Sequence, residues 1–197
     1  GYYVIGSNPD LKPYPYDPDQ AKKLLADAKA AGIPTDSTEL DYWAAKGRFP
    51  HLEELSEVLA DAWNKLGLKV KIVIAEQAKW REMSFATAPG QKRAAFLITG
   101  ISNDLGDSAL NYDNLVMCGG RQSFYCNKTL DEKAKQAGAA VGDDRAKLYR
   151  EIWKAVYNDA VFIPVFRLKP IYGLSKRLNW EARMDDLGMV QEMTLTE

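Results

Sequence analysis

Two carboxylates three residues apart, Asp104 and Asp107, stand in a loop-like stretch of this chain, Gly100-Ile101-Ser102-Asn103-Asp104-Leu105-Gly106-Asp107. Paired carboxylates can hydrolyse a glycosidic bond, one as acid and the other as nucleophile or base. No activated nucleophile, Gly-rich phosphate loop or metal-ligand cluster accompanies this pair, so a carboxylate-dependent hydrolase is the lesser reading. Asp104 also suits an Asx turn between Asn103 and Gly106. Cys118 and Cys126 lie in a Gly-rich, polar stretch, Met117-Cys118-Gly119-Gly120-Arg121-Gln122-Ser123-Phe124-Tyr125-Cys126. Two sulfurs without a neighbouring His are too few ligands for zinc. A catalytic thiol needs a His partner, and the single one, His51, is distant in sequence. That leaves a disulfide closing a short loop, which we expect and which implies an oxidising compartment, or two unrelated reduced thiols. His51 itself reads as a surface residue in the first turn of a helix. No metal site and no cofactor are expected.

Elements that could position these residues follow from periodicity. Residues 1–16 carry Pro9, Pro13 and Pro15 among aromatics and read as an extended lead-in. Asp17 is a good N-cap, Pro18 fits the first helical position and Gln20 can complete a capping box, so a helix is predicted over 18–31, closed by Gly32. Ala21, Leu24, Leu25 and Ala28 share one face of it. Thr38 to Trp43 alternates as a strand. A turn at Gly47-Arg48-Phe49-Pro50 opens a helix over 51–66, with Leu52, Leu55, Leu59, Ala62, Trp63 and Leu66 on one face. Leu68 to Ile74 alternates again, which completes a βαβ unit with parallel strands and a right-handed crossover.

Residues 76–90 predict a short helix and a loop, and Ala94 to Gly100 a strand covered on both faces. The long stretch 101–128 reads as irregular. Thr129 and Glu132 form a capping box before a helix over 130–141. A further helix starts at Asp143-Asp144 and buries Leu148, Tyr149, Ile152, Trp153, Val156 and Tyr157. Val161 to Phe166, Pro170 to Leu174 and Val190 to Thr196 read as strands, with Pro164 at an edge or bend. Alternating strands and helices define an α/β protein with a mixed sheet and helices packed on it.

Bulk composition narrows the function classes. Lys and Arg number 26 against 27 Asp and Glu, a formal net charge of −1, without the basic excess that nucleic-acid binding uses. No apolar run has the length of a membrane span. Hydrophobic residues make up 46% and charged ones 27%, as in ordinary globular proteins.

The wording of several segments is more specific than their physics. Tyr14-Pro15-Tyr16-Asp17-Pro18-Asp19-Gln20-Ala21-Lys22-Lys23-Leu24-Leu25 resembles the Y-x-Y-D-P-x-x-A-x-x-L-L segment of family 5 extracellular solute-binding proteins, the peptide, dipeptide and nickel receptors of ABC importers. Leu59 to Val70 is similar to the family's helix followed by an L-x-x-x-G-I-x-V strand. Gly100 to Asp107 is similar to its G-W-x-x-D-x-G-D loop, with Ile101 where Trp is usual. Asp144-Arg145-Ala146-Lys147-Leu148-Tyr149 matches x-R-x-x-L-Y. Asp159 to Val165 matches D-x-A-P-x-I-P-L without its first Pro, and Tyr172 to Leu178 also fits. Each motif is weak alone; together they run in register from about residue 14 to the end.

The resemblance implies the C-terminal lobe of a type II (cluster C) periplasmic-binding-protein-like fold over 17–197, after the lead-in 1–16. Family chains are considerably longer, and the part absent here lies upstream, so this chain resembles most of that lobe ending at the natural C-terminus. The implied function is the substrate-binding component of an ABC importer, which captures a peptide or similar small solute between two lobes and delivers it to the permease subunits. Other cargo for the same fold is a nickel complex, haem or an oligosaccharide. The implied location is periplasmic or extracytoplasmic, with a lipid anchor on the full-length protein as one form. No nucleic-acid partner and no catalysis are expected.

The same resemblance implies site residues. Asp104 falls where dipeptide-type relatives hold the ligand's ammonium group, its alternative being the Asx turn. Arg48 stands where they grip the ligand carboxylate by a bidentate fork, its alternative being a solvated loop Arg. Phe49, Trp43, Trp80, Tyr112 and Phe124 could provide apolar walls or serve as packing aromatics. Ile101 replaces an aromatic wall.

Overall fold

Two hydrophobic patterns of period 2 flanking one of period 3.6 dictate the centre of the structure. The computed structural model of the chain describes residues 4–85, 94–169, 171–183 and 187–196. Helix α1 (Pro18–Ala30) begins as its cap residues require: Asp17 accepts a hydrogen bond from the Gln20 amide, Pro18 opens the helix, and Gly32 follows it at φ +88°. Its apolar face is only half-buried at Ala21, Leu25 and Ala28, and Leu24 is exposed.

Strand β1 (Glu39–Ala45), helix α2 (Leu52–Lys65) and strand β2 (Lys69–Ala75) form the expected βαβ unit, with β1 and β2 parallel and Tyr42 opposite Ile72. Helix α3 (Gln77–Ser84) follows, and strand β3 (Phe96–Leu97) pairs parallel with the other edge of β1, so the sheet order is β2-β1-β3. Because β1 is central, four successive residues, Tyr42 to Ala45, are buried. Tyr42 packs with Ala60, Val70 and half-buried Trp63 and Phe96 on one face. Trp43 and Ala45 pack with Ala75, Trp80 and Ala94 on the other. Asn64 ties the end of α2 to β2: its carboxamide accepts from the Val70 amide at 2.7 Å and donates to the Val70 carbonyl at 3.2 Å. The loop expected just before residue 90 lies outside the described residues.

The stretch 101–128 is less irregular than its composition predicts, because Ser108–Leu115 forms helix α4. Helices α5 (Lys128–Ala139) and α6 (Gly142–Asn158) pack as a pair, burying Leu130, Ala134 and Ala137 against a stripe of Ala146, Tyr149, Ile152 and Val156. The cap of α5 is Asn127 rather than the expected Thr129 box; its side-chain oxygen accepts from the Thr129 and Leu130 amides.

The expected strands at 161–166 and 171–174 form no ladder among the described residues, and the chain there is largely exposed. Strand propensity expresses itself only when a neighbouring strand edge completes a ladder, and no such ladder forms here among the described residues. The last pairing is antiparallel, between β4 (Leu178–Asn179) and β5 (Thr194–Leu195). No described helix is long and apolar enough to cross a membrane.

The chain divides into two compact units. The first comprises residues up to Lys12, Ser102–Asp113 and Asn127 onward, around α5 and α6; the second comprises Pro13–Ile101 and Asn114–Cys126, around the parallel sheet. Residues 4–8 are more than a lead-in to the first unit. The Ile5 amide donates to the Gly106 carbonyl at 2.8 Å, the Ser108 amide donates to the Ile5 carbonyl at 3.0 Å, and Gly6 is buried.

Candidate functional site

In the first unit, the loop before α4 is built by local side-chain hydrogen bonds. Asn103, itself buried, accepts from the Asp107 amide at 3.2 Å and donates to the Asp107 carbonyl at 2.8 Å. Gly106, at φ +63°, allows the turn, and its amide donates to the Asn103 carbonyl at 3.2 Å. Asp107 caps α4 by accepting from the Ala109 amide at 2.8 Å. The Asx-type bonds that shape this loop therefore come from Asn103 and Asp107. Asp104 and Leu105 stand exposed at its tip.

Asp107 carries a second load. Arg145 Nε and Nη2 each donate to one of its carboxylate oxygens at 2.9 Å, a two-point fork with both side chains about four-fifths buried. The third arm, Nη1, donates to the Ala137 carbonyl at 2.6 Å, and the guanidinium lies 5.2 Å from the centre of the Tyr149 ring. Hydrogen bonding from Arg145 holds the Asp107 carboxyl below the usual carboxylate range, against the opposing effect of burial. Arg145 is raised in turn by the same bond. With both oxygens of Asp107 committed to the guanidinium, the Asp104 and Asp107 pair does not present two free carboxylates.

Tyr112 is fully buried, and its hydroxyl donates to Asp131 Oδ1 at 2.8 Å. The structure corrects its expected place as a ligand wall, because a side chain with no exposed surface packs rather than contacts solute.

In the second unit, Arg48 and Phe49 follow β1 in the turn before α2. Arg48 is exposed, with its guanidinium carbon 4.9 Å from the centre of the buried Trp80 ring. Phe49 points inward instead, packing with Ala44 and Leu52, so its expected wall role is likewise replaced by packing. Trp43 and Trp80 are core. Ile101 is half-exposed at the end of this unit's main segment, and Phe124 is exposed. His51, at φ +59°, precedes α2 without capping it and faces Glu54 at 3.5 Å, both exposed. Among the described residues, no cluster of His, Cys, Asp and Glu could hold a metal ion.

Cys118 and Cys126 are joined by a disulfide. Hydrogen bonds inside the same segment, from the Gly120 amide to Met117 and the Ser123 amide to Gly120, fold the loop that it closes. Closing a loop this short is worth about 2–3 kcal/mol in the chain-entropy picture. Reduction is expected to add two hydrogens to the mass and to lower the urea midpoint of the second unit by a corresponding amount. An unchanged mass and midpoint under a strong reductant would refute the bridge.

Sequence reasoning singled out Asp104 and Arg48 but missed how the loop is held. Asn103 and Arg145 do that work. Arg145 was visible only as one letter of a family motif, 38 positions from its partner.

Comparison with known proteins agrees with this architecture. The chain is 30% identical over 179 residues to the heme-binding protein A of Haemophilus influenzae, a match covering 87% of this chain and 31% of that protein. It is 31% identical over 163 residues to the di/tripeptide-binding protein 1 of Pseudomonas aeruginosa, covering 79% of this chain and 29% of that protein. Among solved structures, it superposes on the ABC transporter substrate-binding protein CtaP of Listeria monocytogenes with a TM-score of 0.74 at 19% identity, covering 98% of this chain and 40% of that one. The periplasmic binding protein DppA of Helicobacter pylori, solved with the peptide STSA, gives 0.64 at 22%, covering 80% of this chain and 30% of that one. No family model matches the chain. The chain thus spans less than a third of the length of these curated relatives. Its fold is that of type II periplasmic-binding-protein-like proteins, and by its ordered motifs and its relatives it belongs to the family 5 extracellular solute-binding proteins.

Proposed function

We propose that this chain is part of the substrate-binding component of an ABC importer, taking a peptide or similar small solute with a free ammonium group. The observation that carries the reading is the relationship to heme-, di/tripeptide- and dipeptide-binding proteins over most of the chain. Residues 17–197 would supply the C-terminal part of that receptor, permease subunits would be its partners, and its location would be extracytoplasmic. The Cys118–Cys126 disulfide fits such a compartment.

Asp104 is the proposed partner of the ligand ammonium, since its carboxylate stands exposed on a loop shaped by other residues. Arg48 is the proposed partner of a ligand carboxylate, with Ile101 as an apolar contact; each assignment stands on its own unit. Binding without turnover is the expected chemistry, and engagement of Asp107 by Arg145 speaks against a two-carboxylate hydrolase.

The test is calorimetry on the protein at the full length its gene encodes, with dialanine and N-acetyl-dialanine as probes. Dialanine should bind and the acetylated form should not. Asp104→Asn should weaken dialanine by about 10–100-fold, the worth of a charge-assisted hydrogen bond. Equal affinity for both probes would overturn the role of Asp104. Retention of a nickel–histidine complex or haem in place of either peptide would move the cargo to that class, and hydrolysis of a glycoside would overturn the binding-only reading.

A further inference from the structure

We propose that Arg145 is a positioning residue, whose fork on Asp107 sets the Asn103–Asp107 loop in its presenting shape before any ligand arrives. Three independent anchors converge on this short loop. Asn103 closes it internally through both ends of its carboxamide. The backbone of Ile5 brackets its far end, donating to Gly106 and accepting from Ser108. Arg145 reaches it from α6 with a two-point grip on Asp107.

The guanidinium is itself immobilised, which separates a positioning device from an incidental ion pair. Its remaining arm is bound to the Ala137 carbonyl at the end of α5, and the Tyr149 ring covers it. Trp153, two turns further along α6, donates its indole N–H to Ser108 Oγ at 2.9 Å, at the start of the helix that Asp107 caps. The packed α5–α6 pair therefore holds one side of the loop at two points, while the exposed Asp104 and Leu105 carry none of these bonds. A loop held in this way loses little conformational freedom when a ligand arrives, so less of the contact energy is spent on ordering it. Lysine could replace the charge but not the fork.

The functional consequence rests on the reading of Asp104 given above, whereas the clasp itself does not, and the experiment has an arm for each. Amide hydrogen exchange would be followed in the wild type, Arg145→Gln, Arg145→Lys and Asp107→Asn. The bonded amides of Gly106, Asp107 and Ser108 should exchange about tenfold faster in Arg145→Gln and Asp107→Asn, while residues 149–156 of α6 stay protected. Arg145→Lys should show most of the same loss despite keeping its charge. Should Arg145→Gln fail to fold, Arg145→Lys and Asp107→Asn decide the matter. Unchanged loop amides, or acceleration spread evenly over α5 and α6, would overturn the clasp.

The second arm measures dialanine affinity in a double-mutant cycle with Asp104→Asn. Arg145→Gln should weaken binding by about tenfold in the wild type and have no effect in the Asp104→Asn background. A similar loss in both backgrounds would reduce Arg145 to a structural role. If the wild type binds no dialanine, the ammonium reading of Asp104 fails, and the exchange comparison alone confirms or overturns the clasp.

Discussion

Trp80→Ala is expected to destabilise the second unit by about 3–5 kcal/mol, the range for deleting a buried large aromatic. Trp80 is 2% exposed and fills the space between Trp43, Ala45, Ala75 and Ala94. Three of these four neighbours are alanines, which have no side chain long enough to collapse into the space left behind. The same substitution removes the surface on which Arg48 rests, so any role of Arg48 in holding a ligand should weaken in parallel. Trp80→Phe separates the two effects. The indole N–H of Trp80 has no partner among the described residues, so phenylalanine loses no hydrogen bond and keeps an aromatic face for the guanidinium. It should cost far less than alanine in chemical denaturation. Equal losses for the two substitutions would show that ring volume is not what stabilises this core.

Gly6→Ala should destabilise the first unit by about 2–5 kcal/mol, with a positive backbone angle and a steric clash acting together. Gly6 sits at φ +82°, a conformation that side chains disfavour. A Cβ there would lie 2.3 Å from Tyr149 Cβ and 3.0 Å from Ser108 Oγ. The nearest clashing atom is a Cβ, so Tyr149→Ala in the same protein gives no relief. The displaced segment includes Ile5, whose two backbone bonds bracket the Asn103–Asp107 loop. Loop amides should therefore lose protection together with global stability, measured by urea titration and hydrogen exchange. A loss below about 1 kcal/mol would show that alanine is accommodated there by a backbone shift.

Much of the second unit was legible in the residues. The βαβ unit follows from two alternating segments around a helix of strong periodicity, and it appears with the expected parallel pairing. The caps of α1 were equally plain, because an N-cap depends on residues two or three positions away. Legibility fell where partners are remote. Val161 to Phe166 has the composition of a strand but joins no ladder among the described residues, and α4 lies in a stretch whose Asn, Asp and Ser content suggested loop. Among the site residues, Tyr112 and Phe49 are aromatics next to polar or turn residues, an arrangement that fits either a ligand wall or a core; only burial separates the two.

The residues alone therefore determined the α/β class, the βαβ unit, the cap of α1 and the family wording, all of which depend on short spacings or ordered local motifs. The structure decided between the two readings of Cys118 and Cys126 in favour of the disulfide. Tertiary structure decided which side chains meet. It brought Arg145 onto Asp107 across 38 positions, turned Tyr112 and Phe49 inward, and left Asp104 exposed on a loop whose bonds come from Asn103, Asp107 and Ile5. Those outcomes depend on how α5 and α6 pack and on what a central strand buries on each face. Such long-range balances of burial and hydrogen bonding leave no signature in any short run of residues.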